Sequence, residues 1–203
     1  RLQELLEEAP KVWDKSQKSY RRLRGSDIAV LAITNAYLSD NVAPALRALG
    51  IPTRLQQEDW FESPAVQVMV QALSYVANPL DRHAALFLSV TELGTRSFEE
   101  ALTLALQGKP LTDPVLQQLE PLAKASPLLA IPDLIDQVVE ALDLFSTLSS
   151  WPDAAQARAD VLRLRFEAEA FMETEPATLA AQGIYGAGIP SFLAWLTEIV
   201  ETQ

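Results

Sequence analysis

Cysteine is absent from the chain, which rules out a disulfide framework and any thiolate metal site. Histidine occurs once, as His83 on an apolar helical stretch. No second His, no Cys and no acidic pair stands at metal-ligand spacing beside it, so it reads as a packed or capping residue. Apolar runs long enough for a membrane are lacking too, because Gln, Asp or Pro interrupts each of them well before ~18 residues. The opening Arg1-Leu2-Gln3-Glu4 has no signal-peptide core. A cytoplasmic protein is the expectation, and a chain that begins with Arg rather than Met is expected to be an excised piece or to have a processed end. Glycine is scarce, at 7 of 203 residues, while Ala and Leu dominate; that balance predicts a mainly helical fold.

Catalytic chemistry is missing as well. No Gly-x-x-x-x-Gly-Lys-Ser/Thr loop is present to cradle a triphosphate. The carboxylate pairs Glu7-Glu8, Glu58-Asp59 and Glu99-Glu100 are adjacent residues; on a helix such neighbours diverge by about 100° and do not converge on a substrate, so they read as solvated surface. Ser191, after Gly188-Ile189-Pro190, is a helix-entry residue rather than a nucleophile on an elbow. The loop Gly183–Gly188 before a helix could hold an anion through backbone N–H groups, but no suitable Lys or Arg is near it in sequence. No catalytic, cofactor-binding or metal-binding residue is assigned.

Positive charge is the minority sign. The net charge of −11 opposes strong binding to a polyanion, since such affinity comes largely from neutralising phosphates. Arg21, Arg22 and Arg24 form a local basic patch, read as a solvated helix end, with local attraction of a polyanion as the alternative.

What the chain does contain is helix punctuation. Leu2, Leu5, Leu6, Ala9 and Trp13 lie at helical spacing and predict a helix over 2–23, kinked or split at Pro10 and stopped by Gly25-Ser26. Residues 27–33 form a continuous apolar run that suits a strand buried on both faces of a parallel sheet. A helix over about 39–49, closed by Gly50, and a second strand over Thr53 to Gln56 would complete one βαβ unit. From Trp60 onward only helices are predicted. Ser63-Pro64 opens one with Val66, Met69, Val70, Leu73 and Val76 inward. Asp81 caps the next, and Ser97-Phe98-Glu99-Glu100 has the capping-box form before Leu102, Leu104 and Leu106. Asp113-Pro114, Ile131-Pro132 and Trp151-Pro152 announce three more. The last of these, 152–173, carries Arg163–Glu167 and Arg165–Glu169 at i,i+4 on an exposed face. A closing helix over 190–201 buries Phe192, Leu193, Leu196 and Val200.

Three stretches carry a resemblance. The first is Ser26-Asp27-Ile28-Ala29-Val30-Leu31-Ala32-Ile33-Thr34-Asn35-Ala36, followed by Ala45-Leu46 and Gly50-Ile51-Pro52. The second is Phe61-Glu62-Ser63-Pro64, a helix, then Asn78-Pro79-Leu80-Asp81. The third is Arg158-Ala159-Asp160-Val161-Leu162, Phe166-Glu167 and Phe192-Leu193-Ala194-Trp195-Leu196. In this order they resemble the UvrD/Rep branch of superfamily 1 DNA helicases, especially the AddA and RecB subunits of bacterial helicase–nucleases, and the resemblance spans nearly the whole chain. It implies a mainly α fold: a helical 2B-like domain over 61–190, with residues 1–60 a small βαβ piece of the RecA-like domain 2A plus a leading helix. Residues 191–203 would be a closing helix that leads back to 2A. It also implies that the phosphate loop and the metal-binding acids lie outside this chain, so that ATP and Mg belong to the parent protein. DNA and a partner subunit are the implied partners, and Thr34, Asn35 and Arg96 are the candidate DNA contacts.

Two departures bear on the branch. Ile33 stands where the family usually has Arg. Many UvrD-branch members carry Arg-Gly-Ile-Gly shortly after the Asn-Pro-x-Asp helix, a hairpin that grips duplex DNA; the corresponding Val90–Arg96 shares only Gly94 and Arg96 with it, which tilts the resemblance toward AddA and RecB. The expected function is that of a non-catalytic accessory region of an ATP-dependent DNA helicase or exonuclease subunit in unwinding and double-strand-break repair, with no ATPase activity of its own. The alternative is a stand-alone acidic helical scaffold that binds protein.

Overall fold

A computed structural model describes residues 2–15, 18–34, 37–51, 53 and 60–202. The chain divides into two compact units, Arg1–Gln57 and Glu58–Gln203. The fold is mainly helical, with a small two-stranded antiparallel sheet.

In the first unit, α1 (Leu2–Glu8) is much shorter than the helix predicted over 2–23. Proline lacks the N–H that would continue the helical ladder, and before Pro10 the chain already turns away at Ala9, whose φ is 41°. The chain then forms a hairpin of β1 (Lys11–Asp14) and β2 (Ser19–Arg22). Its register pairs Lys11 with Arg22, Val12 with Arg21, Trp13 with Tyr20 and Asp14 with Ser19. The Leu23 N–H donates to the Pro10 carbonyl at 2.8 Å and carries the ladder one step further. Trp13, expected on a helical stripe, packs instead edge-on against Tyr20 across the strands, ring centres 5.1 Å apart.

The strand predicted over 27–33 does not form among the described residues. Gly25–Asp27 is a 3-10 turn, and residues 28–32 run without regular structure. A strand exists through its pairing, and no described neighbour supplies a ladder for this run. Leu31 and Ile33 are almost wholly exposed. Thr53 is not in a strand, and 54–56 lie outside the described residues. Of the βαβ piece expected over 27–56, the first strand does not form and the second lies mostly outside the described residues; the sheet among the described residues is the hairpin over 11–22. A single π-helical turn, Leu38–Val42, leads into α2 (Ala43–Ala48). That helix closes as Gly50 predicts. At φ 69°, its N–H donates to the Arg47 carbonyl and the Ile51 N–H to the Leu46 carbonyl, the paired bonds of a Schellman motif.

The second unit is all helical among its described residues. A 3-10 turn (Trp60–Glu62) precedes α3 (Pro64–Ala77), α4 (Arg82–Val90), α5 (Phe98–Leu106) and α6 (Pro114–Ala125). A second 3-10 turn, Ser126–Leu128, leads to α7 (Ile131–Ala141) and the short α8 (Leu144–Leu148). The long α9 (Ala154–Glu173), the short α10 (Pro176–Ala181) and α11 (Ile189–Thr202) complete it. Helix α3 is the hub, packed by α4, α6, α7, α9 and α11. Val66, Met69, Ala72, Leu73 and Val76 are fully enclosed there, and each large apolar side chain so buried contributes about 1.5–3 kcal/mol. Phe171 of α9 meets Phe192 and Trp195 of α11 with ring centres 5.6 Å apart in each pair.

The capping signals form as hydrogen bonds. Ser63 Oγ accepts from the Val66 N–H, Asp81 Oδ1 from His83 and Ala84, and Ser97 exchanges bonds with Glu100 in a capping box. Helix α5 differs in its packing: only Ala101 is buried, while Leu102 and Leu106 face outward.

Candidate nucleic-acid interface

Of the three candidate DNA contacts, Arg96 is placed most completely. It lies in the loop between α4 and α5, whose course is set by Gly94. A Cβ there would lie 2.2 Å from the Ser89 carbonyl oxygen, so only glycine lets the loop fold back on α4. The Arg96 N–H donates to that same carbonyl at 3.1 Å. Its guanidinium reaches across the loop, Nε and Nη2 both donating to the Thr112 carbonyl at 3.3 and 2.9 Å. Next to it, Thr95 donates from both backbone and hydroxyl to the buried Asp113 carboxylate. The loop is thus tied to the segment before α6, and Arg96 spends at least two of its N–H donors inside the fold.

Thr34 lies in the first unit, where its Oγ1 accepts from the Tyr37 N–H at 3.4 Å. Asn35 lies outside the described residues. The basic patch is partly consumed. Arg21 donates from Nε to Asp14 at 2.7 Å and from Nη1 and Nη2 to Asp27 at 2.6 and 2.7 Å. These bonds hold the Arg21 guanidinium above its ordinary range, Asp27 contributing most. In return Arg21, followed by the Arg24 backbone N–H, lowers Asp27 to about 2. Arg22 points to the other face of the hairpin, at an exposed position.

No protein-family model and no curated protein matches this chain.

The chemistry weighed at other positions takes simple structural form. His83 sits exposed in the first turn of α4, with Nδ1 3.3 Å from Gln71 Oε1. Ser191 Oγ donates to the Tyr185 carbonyl at 2.7 Å and pins the glycine loop to α11. Residues 174–203 contain no Lys or Arg at all, so the segment around the Gly183–Gly188 loop supplies no cation of its own to an anion. Among the described residues no group of His, Asp or Glu converges as a metal site, and none of the helices is long and apolar enough to cross a membrane.

One feature escaped the sequence. A groove of about 330 Å³ opens between α7 and α9, with Val139, Phe145 and Val161 along it and Asp136, Glu140 and Asp143 at its edge. Arg165 crosses it, bonded to Asp136 and Glu169, and Arg158 lies 4.6 Å from the centre of the Phe145 ring. The i,i+4 pair Arg165–Glu169 was legible; Asp136, 29 residues away on another helix, was not.

Proposed function

We propose that this chain is a non-catalytic region of an ATP-dependent DNA helicase of the UvrD/Rep type, on the AddA/RecB-like branch. It would comprise part of the RecA-like domain 2A and a helical 2B-like domain. Its role is to position DNA or a partner subunit while the parent chain hydrolyses ATP with Mg. The observation that carries this is the apolar run Ile28–Ile33. It lies in the first of the three stretches that carry the resemblance, and its residues Leu31 and Ile33, the latter a departure from the family's usual Arg, stand 92% and 104% exposed. Apolar residues on both faces of an extended run suit the interior of a parallel sheet covered by helices. A larger RecA-like domain would supply that cover.

The gene around this segment tests the proposal. A phosphate-loop motif far upstream, and a Thr-x-His-x-x-Lys-Gly-Leu-Glu motif shortly downstream, are expected in the same reading frame. A natural start near Arg1 with a stop codon directly after Gln203 would overturn it. The isolated chain is expected to show no ATP hydrolysis above a mock purification, with or without single-stranded DNA.

The second reading, an acidic helical scaffold that binds protein, is favoured by the groove between α7 and α9. Its apolar wall and the carboxylates of Glu140 and Asp143, beside an Asp136 already bonded to Arg165, suit a basic amphipathic segment of another protein.

A further inference from the structure

The sixteen cations of the chain are unevenly placed. Six of them, Lys11, Lys15, Lys18, Arg21, Arg22 and Arg24, fall within fourteen residues that contain a single acid, Asp14. The hairpin sorts them by face. Side chains alternate along a strand, and the register sets Lys11 opposite Arg22 and Trp13 opposite Tyr20. Lys11, Trp13, Tyr20 and Arg22 therefore share one face, and all four are exposed. The opposite face carries Val12, Asp14 and Arg21, where the acid and the arginine neutralise one another. On the exposed face neither Lys11 nor Arg22 has a carboxylate partner among the described residues. Lys15 and Lys18 add their charge at the turn end.

Two properties of this face are unfavourable for the free hairpin. Like charges directly opposite one another destabilise a strand pair. Trp13 and Tyr20 remain 52% and 68% exposed although they pack on each other. A ligand carrying both negative charge and flat apolar rings relieves both at once. At physiological ionic strength charges beyond about 8 Å are largely screened, so the local cations, rather than the net charge of −11, govern contact at this face.

We propose that the Lys11–Trp13–Tyr20–Arg22 face of the hairpin binds single-stranded nucleic acid, its cations on the phosphates and its aromatic rings stacked on bases. Stacking on aromatic side chains needs unpaired bases, and every base has a π-face, so binding is tolerant of sequence and prefers single strands to duplex. The inference names a contact surface for the nucleic acid implied by the helicase proposal, yet it rests on the hairpin alone.

The test uses the whole chain and fluorescence anisotropy of labelled oligodeoxythymidine and oligouridine, first at low salt and then through a salt titration. Weak but measurable binding is expected, with a duplex of equal length bound less well. Lys11→Gln with Arg22→Gln removes the like-charge pair and leaves the aromatic pair, so the hairpin is retained. It should reduce the slope of log affinity against log salt by about 1.4, two contacts at ~0.7 each. Tyr20→Thr keeps strand propensity and should weaken oligodeoxythymidine about tenfold, while leaving competition by heparin, a polyanion without bases, unchanged. Lys109→Gln with Lys124→Gln in the second unit should change neither. Absence of binding at low salt, preference for duplex, or binding indifferent to both hairpin variants would each overturn the proposal; the first is also what a protein-binding face would give. A gene without the helicase motifs would sink the proposed function and leave a positive binding result standing, and the converse holds too.

Discussion

Asp113 and Thr95 are joined twice: one carboxylate oxygen of Asp113 accepts from the Thr95 N–H at 3.1 Å and from its hydroxyl at 2.8 Å. The other oxygen accepts from the Val115 N–H at 3.1 Å and caps α6. A residue that the sequence marks only as a helix cap is also the buried peg that holds the loop in front of α5. Asp113→Ala should cost about 2–4 kcal/mol, the loss of a cap plus donors left without an acceptor. Asp113→Asn keeps the shape but can offer its oxygen to one side only, so a loss of about 1–2 kcal/mol is expected. Urea unfolding reads both: the midpoint should fall while the slope stays constant. A midpoint unchanged in the alanine variant would disprove the double role.

Gly94 is fixed by the same loop. Gly94→Ala would drive a methyl group into the Ser89 backbone, which has no flexible end to move. A loss of about 3 kcal/mol is expected, seen as a lower Tm in a thermal scan. Gly94 thus has a packing cause in this chain. Thr91→Ala, one turn earlier, removes a hydroxyl bond to the Leu88 carbonyl at a half-buried site and should cost only about 1 kcal/mol. Equal losses in the two variants would count against the close approach at Gly94.

Legibility followed the range of the interaction. The caps at Ser63, Asp81, Ser97 and Asp113 were readable because donor and acceptor lie within three residues of each other. The helix closure at Gly50 was readable because it too is local, its two bonds spanning three and five residues. The hairpin was not. Leu2, Leu5, Leu6, Ala9 and Trp13 satisfy a helical period by count, and that count carries no information about Tyr20, the residue Trp13 actually meets. Residues 27–33 failed in the opposite sense: an apolar run states what would be buried, whereas strand pairing depends on a neighbour the run itself does not encode. Among the candidate contacts, Arg96 was legible as a loop cation, but its hold on the Thr112 carbonyl, 16 residues on, was not.

The hairpin should respond to acid through Asp27. Its carboxyl is lowered from 3.8 to about 2, chiefly by Arg21. A group whose folded value lies below its unfolded one adds stability above the unfolded value and loses it as pH falls through the folded one. The window therefore runs from 3.8 down to about 2. The carboxyl carbon of Asp27, followed by NMR, should titrate with a midpoint near the lower figure, and the ring-shifted resonances of Trp13 and Tyr20 should weaken over the same range. Asp27→Asn should remove that dependence. A midpoint at the ordinary value would show that Arg21 does not engage Asp27 in solution.

The exposed apolar run offers the sharpest contrast between the chain alone and the chain in its proposed setting. Leu31 and Ile33 touch little in this structure, and substitutions at such positions usually change stability by less than about 0.5 kcal/mol. Leu31→Lys with Ile33→Lys should therefore leave the Tm of the isolated chain where it is. It should also lower binding of a hydrophobic dye and reduce self-association, because an exposed apolar run with no strand partner among the described residues is a template for pairing between chains. In a parent helicase, where the run is proposed to lie inside a sheet, Leu31→Lys would place a charge where burial is costly, and the protein should fail to fold or lose its ATPase activity; position 33, where the resembled family usually has Arg, should tolerate the lysine. An isolated chain that unfolds on this double substitution would mean that Leu31 and Ile33 are already buried in it. A parent protein that tolerates Leu31→Lys would mean that the run never enters a sheet, and the RecA-like assignment would fall with it.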